Sequence, residues 1–215
     1  MAEVKRNYDA TSRRERARQR RRDVVVAAQE LFEADGFQAT TISAIARRAG
    51  VSAESIYKGF GTKAALAKAV FDFVIVGDDE PVPLVERPEI RAIQDEPDVR
   101  RKLRLYVDGL VERQTRAARV QLLIRDGRHS DDTLRATWQT LLDERLTGMT
   151  MFARHLLETG DLRPELTLDD VADLLWTYIS VELYELLVLH RGWPPQRYGD
   201  HVAAAITAAL CRPSV

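Results

Sequence analysis

Hydrophobic residues recur three or four positions apart along most of this 215-residue chain. This period places them on one face of a helix, whereas a half-buried strand would alternate polar and apolar residues. No such alternation and no internal repeat is found. The pattern predicts an all-α fold of about nine helices without a sheet.

The most informative stretch covers residues 40–66, which predict two short helices joined by a tight turn. Thr40 or Thr41 can cap the first helix, and Ser52 can cap the second. Gly50 between them suits the left-handed conformation in which helices end. The inward positions of the first helix are Ile42, Ile45, Ala46 and Ala49.

The second short helix should bury Ile56 and end near Phe60, because glycine weakens helices. Its outward residues would be Ala53, Glu54, Ser55, Tyr57 and Lys58. Two short helices with a glycine-containing turn form the helix-turn-helix pattern, whose second helix fits the DNA major groove. The alternative is a helical hairpin that never touches DNA, since many of these also turn at a glycine.

A first helix is predicted from Ser12 to its end at Gly36, preceded by a polar segment that we expect to be disordered. The first half of this helix is crowded with arginines, namely Arg13, Arg14, Arg16, Arg18, Arg20, Arg21 and Arg22. They form either a solvated tail or an arm on DNA phosphates, which counterion release would favour. A fourth helix, capped by Thr62, should run to about Val76.

Charge separates the two ends of the chain. Residues 1–68 hold 14 Lys and Arg against 8 Asp and Glu, a net +6, whereas the remainder holds 18 against 25, a net −7. The overall net charge of −1 conceals this division. A basic part on an acidic body indicates that one end alone contacts nucleic acid.

Beyond a break at residues 77–98, with a short helical turn at 88–93, the remaining chain predicts five helices. Their ranges are about 98–115, 116–125, 131–158, 167–189 and 195–211. The helix at 167–189 is apolar almost all round, so it should be buried on more than one side. Together with the last helix it predicts a homodimer interface, unless both helices are buried within their own domain.

Composition argues against several classes of protein. The single cysteine, Cys211, excludes an internal disulfide and a cysteine-based metal site, and it fits a reducing, cytoplasmic location. No secretory leader or membrane-spanning run is found. The four histidines are scattered without metal-ligand spacing, and no phosphate loop or nucleophile motif is present. We therefore expect no enzyme activity, metal or cofactor.

The run Thr41-Ile42, Ala49-Gly50-Val51-Ser52, Ile56-Tyr57 and Phe60-Gly61, followed by Lys63 and Leu66, resembles the DNA-binding domain of the TetR family of bacterial transcription regulators. The resemblance covers about residues 20–77, and beyond them only the outline is similar. It implies a flexible basic arm at 1–19, a helix-turn-helix domain at 20–77, and a ligand-binding and dimerisation domain at 78–215.

The resemblance also implies a homodimer on a palindromic operator, repression as the default, and release of the DNA by a small, hydrophobic molecule. A ligand-independent architectural DNA-binding protein is the alternative. The expected DNA-binding residues are Arg20, Thr40, Thr41, Arg47, Ser52, Ala53, Glu54, Ser55, Tyr57, Lys58 and Lys63. Many members have a histidine where this chain has Lys58-Gly59. Gly59 should make the C-terminal end of the second helix looser, so base contacts are not expected beyond Lys58.

Ligand candidates come from the larger domain, because binding sites are mostly apolar and aromatic with a few polar groups. They are Trp138, Met149, Phe152, His155, Trp176, Tyr178 and Glu182. Each could instead belong to the core or to the dimer interface, and His155 could be a surface residue.

Overall fold

The structure, a computed structural model, describes residues 2–77 and 87–213, and within residues 2–14 and at Val76 it describes the backbone alone. The described chain is all-α, as the hydrophobic period predicts; the β pairing found in it is one isolated bridge between Leu162 and Cys211. Residues 78–86 of the predicted break at 77–98 lie outside the described residues, and the short helical turn expected at 88–93 is found as a helix over Pro88–Asp95. No helix in the described part is long and apolar enough to cross a membrane.

The helices of the described residues are numbered in chain order. They are α1 (Ala2–Ala39), α2 (Ile42–Ala49), α3 (Ala53–Phe60), α4 (Lys63–Val76), α5 (Pro88–Asp95), α6 (Val99–Gly127), α7 (Asp132–Leu157), α8 (Leu168–Tyr178), α9 (Val181–Tyr184, continuing as a π-helix over Glu185–His190) and α10 (Pro195–Leu210).

The first helix is longer than predicted at its start and ends as predicted. Helical backbone begins at Ala2, so the expected disorder ahead of Ser12 is not seen; residues 2–11 contain no glycine or proline that would stop a helix. Regular helix is interrupted at Gly36, whose φ of 79° and ψ of 169° lie outside the helical region. Glycine tolerates this conformation because it has no Cβ.

The two helices expected at residues 98–115 and 116–125 form the single helix α6, so that prediction was wrong. No glycine or proline interrupts the junction at Thr115. The Thr115 hydroxyl donates to the Val111 carbonyl 2.8 Å away, which satisfies it within the helix.

The apolar stretch at 167–189 is not one helix. It begins as predicted, because Thr167 caps α8 and Asp170 bonds back to the Thr167 backbone in a capping box. It breaks at Ile179 and Ser180, where Ser180 has an extended backbone with φ −63° and ψ 145°. The Ile179 carbonyl receives a hydrogen bond at 3.1 Å from the side-chain amide of Gln114, a long-range contact that no local pattern reveals.

The chain divides into two compact units. Unit 1 comprises Met1–Val74 with Arg119–Thr137, and unit 2 comprises Ile75–Ala118 with Trp138–Val215. In unit 1, α1 packs against α2 and α2 against α3 around fully buried Ile45 and Leu66. In unit 2, α10 packs against α8, and Leu175 and Ile206 are fully buried there.

Candidate nucleic-acid interface

Helices α2 and α3 meet in a turn in which the predicted caps are formed. The Thr41 hydroxyl accepts a hydrogen bond from the Ala44 amide at 3.1 Å, and the Ser52 hydroxyl accepts one from the Ser55 amide at the same distance. Gly50 ends α2 in the left-handed conformation, with φ 67° and ψ 30°. These caps satisfy amides that would otherwise lack partners, so they define where α3 begins.

Helix α3 presents the predicted face to solvent. Ile56 is buried at 1% exposure and anchors the helix, whereas Tyr57 is 54% exposed although it is a large aromatic residue. Glu54, Ser55 and Lys58 are exposed as well, and Ala53 is half-buried. The helix therefore offers carboxylate, hydroxyl, ammonium and phenol groups on one accessible surface, which we call the α3 face.

Helix α3 remains helical through Gly59 and ends at Phe60, as predicted. Arg21 of α1 contacts this end of the helix: its Nη1 donates to the Gly59 carbonyl at 3.2 Å, and its guanidinium lies 4.3 Å from the centre of the Phe60 ring. A cation at a helix C-terminus is electrostatically favourable. Sequence reasoning placed Arg21 only in a general basic cluster and missed this contact.

Lys63 lies at the start of α4 and its side chain binds within the protein. Its Nζ donates to the carbonyls of Phe37 at 2.8 Å and Thr40 at 3.0 Å, and it lies 4.2 Å from the centre of the Phe37 ring. Burial lowers the pKa of this ammonium, and Asp131 opposes that shift. Lys63 therefore joins the end of α1 to the start of α4, and its contact with phosphate stays a prediction.

Thr40 is not part of an exposed surface, which corrects its place among the expected DNA contacts. It is buried at 2% exposure, and its hydroxyl lies 2.8 Å from the Gly36 carbonyl and 3.1 Å from that of Leu31. The side chain thus supports the turn after α1. Arg20, Thr41, Arg47 and Ser52 are exposed, as DNA contact requires.

Among the ligand candidates, Met149 and Phe152 share a contact with Tyr106 of α6. The Tyr106 ring stacks on Phe152 with 4.6 Å between centroids, and its hydroxyl lies 3.4 Å from the Met149 sulfur. Burial raises the pKa of the Tyr106 phenol. Trp138 is buried in the same unit, and Tyr178 is half-buried.

Trp176 and Glu182 come together around a residue that sequence reasoning overlooked. The Arg145 guanidinium lies 4.5 Å from the centre of the Trp176 ring, and the Glu182 charge opposes the desolvation that lowers the pKa of Arg145. A signal for Arg145 is present in the sequence. Arg145 lies on the inward face of α7, where Trp138, Leu141, Met149 and Phe152 recur at helical spacing.

His155 contacts another buried cation rather than the aromatic group. Its Nε2 lies 2.8 Å from Nζ of Lys102, which also donates to the carbonyls of Ile93 at 2.6 Å and Gln94 at 2.9 Å. Lys102 is 1% exposed and closes the C-terminal end of α5. His155 therefore supports the packing of α5.

No group of three or more His, Cys, Asp or Glu side chains that could hold a metal ion occurs in the part of the chain that is described. The features that are present are two capped helices, a tight turn, and an accessible polar face on the second helix. Together they define a helix-turn-helix DNA-binding protein.

Comparison with known proteins shows which DNA-binding proteins the chain resembles. The sequence model described as "Bacterial regulatory proteins, tetR family" matches residues 24–70, which include α2 and α3. Two regulators of Pseudomonas putida are similar along most of their length. The probable HTH-type transcriptional regulator ArpR is 27% identical over 170 residues, 78% of this chain and 80% of that protein. The HTH-type transcriptional regulator TtgR is 27% identical over 179 residues, 82% and 84% of the two chains.

Solved structures share the fold. FadR from Bacillus subtilis in complex with stearoyl-CoA aligns with a TM-score of 0.69 and 19% identity, over 87% of this chain and 97% of that one. The SmeT–triclosan complex aligns with a TM-score of 0.67 and 18% identity, over 90% and 92%. Residues 24–70 thus match the TetR family model, and these similarities support a DNA-binding transcriptional regulator; the family is one of transcriptional regulators.

Proposed function

We propose that this regulator is a repressor that binds a palindromic operator as a homodimer and is released from it by a small hydrophobic molecule. The observation that carries the proposal is the α3 face, with Ile56 buried beneath it and Glu54, Ser55, Tyr57 and Lys58 exposed above it.

The chemistry of the α3 face suits the major groove. Lys58 can donate to the acceptors of guanine, Glu54 can accept from the amino group of cytosine, and Ser55 can do either. Tyr57 and Thr41, both exposed, would contact phosphates, which position the protein without reading sequence. The additional arginines of α1 would strengthen binding to any duplex.

Dimerisation is supported by apolar surface on the last helices. Leu186 is 58% exposed and Leu189 is 42% exposed, and both lie in the π-helical segment that continues α9. Helix α10 has the small residues Ala204 and Ala208 exposed, four positions apart and therefore on one side. A second copy related by two-fold symmetry would cover such faces, and its α3 would reach the next half-site.

Ligand response is supported by the aromatic interior of unit 2, where Tyr106 and Phe152 stack and Trp176 lies under Arg145. The two structural neighbours described above were solved with triclosan and with stearoyl-CoA, of which the first is a hydrophobic molecule and the second carries a hydrophobic acyl chain. Coupling between ligand and operator must be reciprocal, so DNA should weaken ligand binding as much as ligand weakens DNA binding.

The first experiment is selection of bound duplexes from a random pool, followed by anisotropy titrations on the selected site. Lys58→Ala should relax preference at one base position per half-site, at a cost of about 1–3 kcal/mol on the preferred sequence. Arg154→Ala, which removes one exposed positive charge from α7, is the matched control and should leave the preference unchanged.

The proposal would be overturned at the first stage if no sequence were enriched in dilute buffer. A mass by light scattering equal to one 24.4 kDa chain at micromolar concentration would contradict the homodimer. A screen of hydrophobic compounds in which none stabilised the protein would contradict ligand response and favour the architectural alternative.

A further inference from the structure

Unit 2 contains several buried polar atoms that have no hydrogen-bond partner among the described residues. Five of them belong to four side chains: Nε and Nη1 of Arg145, Nε1 of Trp176, Oε1 of Gln114 and the hydroxyl of Tyr198. Buried polar groups are nearly always paired, since each unpaired one costs about 1–3 kcal/mol. A group of them in one unit therefore requires an explanation.

Three of these side chains, Arg145, Trp176 and Tyr198, belong to a connected part of the interior. Arg145 lies over Trp176, and its charge also acts on the Tyr106 phenol. Tyr106 in turn acts electrostatically on Tyr198, whose ring meets that of Tyr184 edge-on at 5.1 Å. Side chains of α6, α7, α8 and α10 thus converge, although the sequence separates them widely.

The unpaired atoms are mainly donors. Arg145 and Trp176 can only donate, whereas Gln114 Oε1 is a carbonyl oxygen and can only accept; the amide nitrogen of Gln114 already donates to the Ile179 carbonyl. A molecule that completes this group must therefore bring acceptors. Arginine remains charged when buried, and its planar fork matches a carboxylate with two parallel hydrogen bonds.

The charges around these side chains also favour an anionic ligand. A second guanidinium, that of Arg113, lies 5.5 Å from the centre of the Tyr106 ring. Among the described residues, the charges that act on Tyr106 and Arg145 include the guanidiniums of Arg113 and Arg145 and the carboxylate of Glu182. An additional anion would neutralise the remaining positive charge, which is costly to bury alone.

The rest of this interior is apolar and aromatic. Tyr106 and Phe152 stack, the Met149 sulfur lies 3.4 Å from the Tyr106 hydroxyl, and the Arg145 guanidinium lies over the Trp176 ring. Flat hydrophobic groups pack well against such rings.

We propose that the effector is a hydrophobic carboxylate, and that Arg145 binds its carboxylate while the aromatic side chains hold its body. This rests on the ligand response proposed above and names the chemical class that the same site would take. Trp176 Nε1 is available as a further donor to the bound acceptor.

The experiment compares matched compounds that differ only in charge. The panel consists of benzoate, 2-naphthoate, 4-phenylbutyrate, decanoate and dodecanoate, each with its primary amide and its primary amine. Binding is measured by thermal shift and by calorimetry, and release by loss of anisotropy on the selected operator. At least one carboxylate should bind about tenfold or more tighter than its amide, and tighter still than its amine.

Arg145→Met tests the role of the guanidinium while keeping an unbranched apolar stem. It should abolish the preference for carboxylate over amide and should raise the melting temperature of the unliganded protein, because it removes a buried charge with unpaired donors. Arg145→Lys should retain part of the preference, since the charge stays but the planar fork is lost. Arg154→Met on the same helix, where the arginine is exposed, should change neither measurement.

The outcomes separate this inference from the function on which it rests. If amides or amines bind as tightly as carboxylates and release the operator, ligand response stands and the carboxylate assignment is overturned. If Arg145→Met lowers the melting temperature and leaves the carboxylate preference intact, Arg145 is structural and the assignment is again overturned. If no member of the panel binds in any charge state, ligand response by hydrophobic molecules and this inference are both contradicted.

Discussion

The two units differ in whether their buried polar atoms have hydrogen-bond partners. In unit 1 the interior donors have partners: Lys63 binds two carbonyls, and the Thr40 hydroxyl reaches two more. In unit 2 the guanidinium of Arg145, the indole of Trp176 and the hydroxyl of Tyr198 have atoms without partners among the described residues.

The difference agrees with what each unit must do. A unit that reads DNA needs a rigid helix, so its caps and interior bonds should be complete before the duplex arrives. A unit that responds to a small molecule must retain groups that only the ligand satisfies, because a ligand shifts an equilibrium only through interactions that differ between states. Three substitutions test this contrast, each predicted for the protein without DNA or ligand.

The largest effect is expected for Lys63→Met in unit 1. It removes the donor shared by the Phe37 and Thr40 carbonyls, and hydrogen bonds to charged groups contribute about 1.5–3 kcal/mol. The free energy of unfolding from urea titration followed by circular dichroism should fall by about this amount. Lys58→Met, at an exposed position, is the control and should have little effect. Equal stability of the two variants would show that the Lys63 bonds are unimportant.

A smaller loss is expected for Thr40→Val, which keeps the shape of the side chain. The hydroxyl bonds to Gly36 and Leu31 disappear, at a cost of about 1 kcal/mol in the same titration. Thr41→Val, at the exposed neighbour, should cost a similar amount through loss of the cap but should also weaken DNA binding. If Thr40→Val left the free energy of unfolding unchanged, the hydrogen bonds of the Thr40 hydroxyl would not stabilise unit 1, and the proposed difference between the units would be weakened.

The smallest change, and the one with opposite sign, is expected for Tyr198→Phe in unit 2. The Tyr198 hydroxyl is buried without a partner among the described residues, so its removal should raise stability by up to about 1 kcal/mol. Tyr184→Phe is the matched control, because the Tyr184 hydroxyl contacts that of Thr115 at 3.4 Å and its removal should be neutral or slightly destabilising. The three tryptophans all lie beyond residue 137, so their fluorescence reports unfolding of unit 2. Destabilisation by Tyr198→Phe would contradict the contrast.

Much of the fold could be predicted because its causes are local. Helical spacing of apolar residues, caps at Thr41, Ser52 and Thr167, and glycine at positions 36 and 50 act within a few residues of themselves. The break at Ser180 could not be predicted in this way, because the carbonyl that it frees is bound by Gln114, 65 residues earlier. The continuity of α6 across residues 115 and 116 was missed although no glycine or proline interrupts the chain there and the Thr115 hydroxyl bonds inside the helix.

The sequence by itself determined the all-α class, the helix-turn-helix and the exposed α3 face, since periodicity and capping are short-range effects. Only the tertiary structure decided which cations bind carbonyl groups or aromatic rings of the protein itself. Arg21 caps α3, Lys63 joins α1 to α4, Lys102 closes α5, and Arg145 has donors that remain unpaired among the described residues. A charged side chain looks the same in a sequence whether it faces water or a carbonyl, and its partners are supplied by helices that are distant along the chain.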